Sequence, residues 1–294
     1  MLGKHVWKAL THSNRYGLTM LVRNDSLVEH PNHNFSGKFV AVDYESDDSL
    51  VAALTGQDVL VSVLGKAALT LQPRLFRAAA AANVKRIIPS EFGGDLRHPR
   101  TKTFPTYYQK VAVEEQLEEL RREAGISYTL IFTNVLLDWA MSSRGALLLD
   151  PASRRVRLYD GGNVKFSTTS TATVEKAVVA VLDHYDRTEN RALYVQNVAM
   201  TENELLQMAR EVTSGDNGPA WVVEDVDTAK LEQTARSSLD RGSEITLEVF
   251  YAFAVRATFG DGYGGHFFHC DDDLLGIKGL EMAQLKELVR ECVS

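Results

Sequence analysis

The chain has 294 residues, 45% hydrophobic and 24% charged, with a formal net charge of −7. That length buries a full core in one large domain, or in one domain with a smaller appended region, and the negative balance argues against a general nucleic-acid or anionic-membrane binder. No apolar run approaches the ~20 residues that span a bilayer, the charged first residues lack the apolar stretch of a signal peptide, and Cys270 and Cys292 have neither metal-ligand nor redox-motif spacing, so free thiols in a reducing cytoplasm are expected.

Leu2-Gly3-Lys4-His5-Val6 opens a helix, residues 14–17 are a turn, and 18–22 form a short apolar strand that ends on Arg23. These read as the back half of a dinucleotide-binding unit, in which a strand and a glycine-rich turn precede the helix. Neither precedes Gly3, and the expectation is a truncated gene reading rather than a natural start. The residue after the second strand of such a unit lies beside the adenosine ribose. An acid there accepts from the ribose hydroxyls, whereas an arginine favours a 2′-phosphate. Taken alone, Arg23 is equally a solvated cation at a strand end.

Residues 39–43 form the next strand, Ser46-Asp47-Asp48-Ser49 offers N-caps for a helix through Leu54, and 58–64 is a further strand closed by Gly65. Strand, helix and strand at this spacing imply parallel crossovers. An alanine-rich helix over 69–82 and a strand over 84–88 follow. Pro89-Ser90-Glu91-Phe92-Gly93-Gly94-Asp95 then lies at the C-terminal end of that strand, the edge where open α/β sheets bind ligands. A helix from Pro105 to Glu123 carries the apolar stripe Val113, Leu117, Leu120 and Ala124. The same spacing carried backwards reaches Lys110, one turn above the packed face, where the 90–94 loop is expected. Residues 128–132 are another buried strand, followed by Thr133-Asn134.

Past this point the alternation loosens, with the weakest seam near 134–145. Residues 155–159 and 164–168 read as a hairpin or two short strands. Helices are expected over 173–182, over 201–212 behind a Thr201-x-x-Glu204 capping box, after Asp227, over 244–257 and over 282–293, with short strands over 193–195 and 221–224. Trp139, Met141, Tyr251, Phe253 and Phe267 form either an aromatic substrate wall or core. His5, His12 and His98 are candidate acids. His266 and His269 flank Phe267-Phe268 and line a cavity or ligate a metal, but no third ligand is arranged nearby, so no metal is expected.

Taken in order, Leu2-Gly3-Lys4-His5-Val6, Leu21-Val22-Arg23, Asp58-Val59-Leu60-Val61-Ser62, Gln72 with Leu75, Lys85 through Gly93, Lys110, and Tyr128-Thr129-Leu130-Ile131 with Asn134 resemble the NmrA-like and isoflavone-reductase-like branch of the short-chain dehydrogenases. The 86–93 run is the most specific. The second half matches in outline, through Leu193-Tyr194-Val195 and the helix after it. The resemblance implies an α/β fold, with a Rossmann-like doubly wound, mostly parallel sheet lacking its usual first strand and a smaller mixed α/β substrate region. Residues 1–135 would be the NADP-binding domain, incomplete at its N-terminus, and 136–294 the substrate-binding region, partly interleaved with the sheet. Loss of the first strand would leave a gap or force 59–64 to pair directly with 18–22.

By the same resemblance Gly3 matches the last glycine of the fingerprint, and Arg23 holds the 2′-phosphate. Ser62, Leu64 and Gly65 pass under the adenosine and pyrophosphate, Ser90, Glu91 and Phe92 frame the nicotinamide, and Asn134 touches its far end. Lys110 matches the family's catalytic lysine. The Tyr-x-x-x-Lys pair of ordinary short-chain dehydrogenases is absent, Thr106 standing four before Lys110, as this branch would have it. The implied activity is NADPH-dependent reduction of a C=C or C=O bond of a small aromatic or polyketide-like molecule in secondary metabolism. The implied enzyme is a monomer or homodimer, without nucleic-acid or membrane partners. The alternatives are an NADP-binding redox-sensing regulator that turns nothing over and a scaffold that binds no dinucleotide.

Overall fold

The computed structural model describes residues 2–23, 37–142, 147–215 and 218–293, so part of the expected seam, 143–145, lies outside the described residues. In chain order the elements are α1 (Leu2–Ser13), β1 (Thr19–Arg23), β2 (Lys38–Val42), α2 (Asp47–Leu54), β3 (Val59–Val61), α3 (Gln72–Ala81), β4 (Arg86–Ile88), α4 (Tyr108–Ala124), β5 (Ser127–Phe132), β6 (Val135–Leu136) and α5 (Leu137–Ala140). They continue with β7 (Leu149–Asp150), β8 (Arg155–Tyr159), β9 (Phe166–Thr169), α6 (Thr171–Asp183), β10 (Arg191–Tyr194), β11 (Val198–Met200), α7 (Glu202–Val212), β12 (Val222–Val226), α8 (Thr228–Asp240), α9 (Leu247–Phe259) and α10 (Met282–Val293).

Two compact units share the chain. The first is built from Met1–Glu91, Gln109–Ile131 and Glu175–Leu193, and the second from Phe92–Tyr108, Phe132–Val174 and Tyr194–Ser294. The boundary expected near 135 cuts the chain once, whereas each unit here draws on three separate segments.

In the first unit β3, β4 and β5 are parallel neighbours, and β10 extends the sheet beside β5. Among the described residues β1 pairs with β2 alone, in parallel and in register from Thr19–Lys38 to Arg23–Val42. Among the described residues, then, the parallel strands fall into two sheets and β1 does not pair directly with β3. Local sequence explains the helices. The Ser46 hydroxyl caps α2 by accepting from Ser49 N, and Pro73 in the first turn of α3 follows a short 3₁₀ turn over Lys66–Leu71, where its missing N–H is no loss. The stripe foreseen on α4 buries Val113 and Leu117. Arg86 is wholly buried in β4. Its guanidinium donates to Ser127 Oγ at 2.9 Å and stacks 3.6 Å over the Tyr185 ring, which satisfies much of a charge that would otherwise be costly in a core.

The second unit holds two three-stranded sheets, ordered β11-β9-β6 and β12-β8-β7. β8 and β9 thus lie in different sheets and do not form a hairpin. Asp160, Gly161 and Gly162, all at positive φ, turn the chain between them. The core gathers Met141, Phe166, Met200, Leu205, Phe259, Leu285 and Val289, and Tyr159 stacks on Phe259 with ring centroids 4.8 Å apart. The capping box on α7 is complete, Thr201 Oγ1 accepting from Glu204 N while Glu204 accepts from Thr201 N. Asp227 caps α8.

Candidate functional site

Because β3 and β4 run parallel, Val59–Val61 beside Arg86–Ile88, their C-terminal ends open on the same edge. Ser62 N donates to Ile88 O at 2.8 Å. Ser90 is buried and doubly held, its N donating to Gln72 Oε1 and its hydroxyl to Leu64 O, both at 2.8 Å. Gln72, itself fully buried at the head of α3, thereby fixes the loop after β4. At this edge three buried polar atoms have no hydrogen-bond partner: Ser62 Oγ, Gln72 Nε2 and Glu91 Oε2. Leaving such a group unpaired costs about 1–3 kcal/mol. Their collection at the ligand-binding edge of a parallel sheet fits the seat of a polar ligand better than a core. Gln72 entered the sequence reading as a family marker without a role. The signal that would have found it is an amide at the first position of an alanine-rich helix, ahead of the apolar Leu75 and Phe76.

Lys110 reaches this edge from the first turns of α4. Its ammonium donates to Glu91 O at 2.5 Å and lies 3.4 Å from Glu91 Oε2. The lysine side chain is 17% exposed and the glutamate 4%. The ammonium is aimed at the carbonyl, so the carboxylate receives its charge without a good hydrogen bond. Burial pushes the Glu91 carboxyl up from its ordinary range, and the Lys110 charge pulls it back. Lysine, glutamate and Ser90 therefore form one cluster, as the α4 periodicity anticipated.

The remaining residues expected at the cofactor are placed as follows. The start of α1 lies against the end of β3, since a Cβ on Gly3 would meet Val63 Cβ at 3.9 Å; a Cβ on Gly65 would find nothing within 4 Å. Leu64 contributes its carbonyl to Ser90. Arg23 closes β1 and is exposed. Burial raises the Tyr44 hydroxyl, and the charge of Arg23 draws it back. His5 is exposed and meets Glu175 at 2.7 Å.

Phe92 and Asn134 belong to the second unit, and both have positive φ, 32° and 49°. Asparagine tolerates that region better than phenylalanine. Gly93 O accepts from Thr133 N and Asn134 N. The Asn134 amide donates to Gly265 O at 2.5 Å, and its carbonyl accepts from Thr258 Oγ1 at 3.4 Å. Asn134 thus ties the loop after β4 to the loop after α9. That second loop requires glycine: a Cβ on Gly265 would lie 1.9 Å from Thr258 O, and one on Gly264, at φ +81°, 2.8 Å from the His98 ring. Beside it opens a cavity of about 780 Å³, with His98, Lys165, Tyr194, His266, Phe267 and Phe268 in its wall. Of the expected aromatic wall, Phe267 lines this cavity. Met141 is wholly buried in the core, Trp139 packs against that core, and Tyr251 meets Phe250 edge to face. Among the described residues no group of three or more His, Cys, Asp and Glu side chains is arranged to hold a metal ion, and no helix is long and apolar enough to cross a membrane.

Comparison with known proteins follows the same lines. The family model described as NmrA-like matches residues 1–217. "Oxidoreductase aprR" of Aspergillus flavus is 29% identical over 291 residues, which cover 98% of this chain and 94% of that protein. "Isoflavone reductase homolog IRL" of Zea mays is 32% identical over 213 residues, 71% of this chain and 66% of that protein. Among solved structures, "AtPrR2 with NADP+ and (+)pinoresinol" superposes with a TM-score of 0.78 at 21% identity, covering 99% of this chain and 95% of that one. The ternary complex of leucoanthocyanidin reductase from Vitis vinifera gives a TM-score of 0.71 at 21% identity, covering 100% and 96%. The chain has the Rossmann-like α/β fold of these reductases and belongs to the NmrA-like family.

Proposed function

We propose that the protein is an NADPH-dependent reductase acting on a C=C or C=O bond of a small aromatic or polyketide-like molecule in secondary metabolism. The observation that carries the reading is the Lys110 ammonium held 2.5 Å from Glu91 O at the ligand-binding edge of the parallel sheet. Relatives named as oxidoreductases and isoflavone reductase homologues support the class, and similar solved structures are complexes with NADP⁺ and NADPH. The residues present fit such a cofactor. Ser62 Oγ and Gln72 Nε2 are buried and unpartnered at that edge, and Arg23 supplies a cation at the end of β1 for a 2′-phosphate.

When bound, NADPH supplies the hydride. The protein's part is positioning and charge. Gln72 holds Ser90, and with it the loop after β4, through the Ser90 N–H. Glu91 keeps Lys110 in place through its carbonyl and surrounds the ammonium with compensating negative charge. Lys110 polarises the substrate oxygen, or delivers a proton to it as charge develops.

Calorimetry with NADPH and NADH, followed by nicotinamide absorbance against a panel of enones and aryl ketones, tests the reading. NADPH should bind about tenfold tighter than NADH, as one charge-assisted hydrogen bond gives. Arg23→Ala should abolish the difference, and at least one panel member should oxidise the cofactor. Absence of NADPH binding would contradict the reading. Binding with no oxidation across the panel would favour the redox-sensing regulator.

A further inference from the structure

Between β8 and β9 the chain turns through three consecutive residues in the left-handed region, Asp160, Gly161 and Gly162, at φ 50°, 80° and 70°. Asp160 is the only one of the three with a side chain to strain that backbone. The turn closes on the first turn of α7. Asn203 Nδ2 donates to Gly161 O and to Asn163 Oδ1, both at 2.9 Å. Gly162 fits so closely that a Cβ would stand 2.9 Å from Leu158 and 3.2 Å from Asn203. Asn163, Val164 and Lys165 follow directly and belong to the wall of the cavity. Whatever holds the turn on α7 therefore also holds that part of the wall.

Two carboxyl groups serve this turn, and their surroundings differ. Asp160 accepts from Thr228 N at 2.8 Å, from Thr228 Oγ1, and from Arg256 Nη1 at 3.3 Å, which suits an ionised carboxylate. Glu202 is 2% exposed. One of its oxygens accepts from Tyr159 N, the residue before Asp160, at 3.0 Å, and Oε1 is buried with no partner. Among the described residues no cation pairs with Glu202. Arg256 of α9 is committed to Asp160 and to Glu232 of α8. On β8, Arg157 faces Glu224 of β12, and the Tyr159 phenol donates to Leu147 O. On α7 itself Glu204 accepts from Thr201 N, and Lys286 of α10 pairs with Glu211 at the far end. A carboxylate at Glu202 would have one donor and the charge of Asp160 beside it, so the closed turn calls for the neutral acid. Burial foremost, joined by the charge of Asp160, pushes the Glu202 carboxyl up to about 8 against the bond from Tyr159 N.

We propose that Glu202 is a proton-operated latch: its neutral carboxyl keeps the 160–163 turn shut on α7, and loss of the proton releases the turn and loosens the wall segment 163–165. In the released form water reaches the carboxylate, which then titrates in its ordinary range. Release is rarest below about pH 4.5 and grows as pH rises towards 8. Above that both forms are ionised and the balance levels off, with two negative charges side by side in the closed turn. The latch asks nothing of the reductase reading.

The test is hydrogen exchange of the whole chain, read by mass spectrometry across this pH range and corrected for the pH dependence of chemical exchange. Peptides covering 160–165 should lose protection by about tenfold per pH unit up to about pH 8 and then level off, as release of one proton requires. Low urea should leave their exchange almost unchanged, because a local opening exposes little surface. Glu202→Gln, a neutral isostere, should hold the protection constant with pH. Asp160→Asn, which keeps a residue tolerant of the left-handed region, should move the levelling point to lower pH. Protection independent of pH in the wild type, or the same loss in Glu202→Gln, would overturn the proposal. So would a levelling point unmoved in Asp160→Asn, or exchange at 160–165 that accelerates with urea as steeply as in the buried face of α9.

Discussion

The sheet edge of the first unit and the cavity wall of the second prepare their polar groups in opposite ways. At the edge of the first, Ser62 Oγ, Gln72 Nε2 and Glu91 Oε2 are buried without hydrogen-bond partners. Around the cavity of the second, the buried groups Asn134, Ser167 and Thr169 are all bonded. Shape there comes instead from glycines that let two backbones approach. An edge with unsatisfied donors and acceptors gains stability when a polar ligand arrives. A wall that is already satisfied gains little and acts by excluding what does not fit. On the proposed function, the cofactor would be recognised at the edge of the first unit, and the cavity of the second would select by shape.

The contrast can be broken most severely at Gly265. Gly265→Ala forces a Cβ to 1.9 Å from a backbone oxygen and should destabilise the protein by about 3 kcal/mol or more in urea unfolding. Lys110→Ala comes next. It strips the compensating charge from a carboxylate that is 4% exposed, which should remove about 3 kcal/mol. The double change with Glu91→Gln should recover most of the loss, and a double-mutant cycle in urea reads the coupling. Glu202, in the first turn of α7, follows. Burial raises its pKa from 4.5 to about 8, against the hydrogen bond from Tyr159 N. A raised acid pKa means the folded state holds the proton. Its contribution is full below about pH 4.5 and is lost progressively as pH rises towards 8. Glu202→Gln should flatten the fall of the thermal midpoint across that window. Smallest in stability is Gly65→Ala, whose Cβ meets nothing within 4 Å. It should change unfolding by less than ~0.5 kcal/mol yet weaken NADPH binding, because the open space is where the cofactor would pass.

Much of the first unit is legible in the sequence because its chemistry follows short-range periodicity. The apolar spacing on α4 placed Lys110 beside the 90–94 loop, and the structure puts its ammonium on Glu91 O. Ser46, the Thr201 capping box and Asp227 mark three helix starts through local hydrogen bonds alone. Among the described residues β1 and β2 pair apart from the β10-β5-β4-β3 sheet, one of the two arrangements expected from the sequence. The second unit resists such reading. Whether β8 and β9 form a hairpin depends on partners distant in sequence, β12 for one and β11 for the other. Asn134 is explained by Gly265 and Thr258, 131 and 124 residues away. Gln72 shows its role only when Ser90 folds onto it.

The central claim is that Lys110 acts on the substrate while the rest of the edge holds the cofactor. The most direct measurement compares NADPH affinity and single-turnover oxidation in the wild type and Lys110→Ala, using the first enone or ketone that the wild type reduces. Where the single change fails to fold, the Glu91→Gln background replaces it for both proteins. The account predicts unchanged NADPH affinity and oxidation slowed by about 100-fold or more, the usual contribution of a positioned acid. Near-normal oxidation with NADPH bound would contradict it.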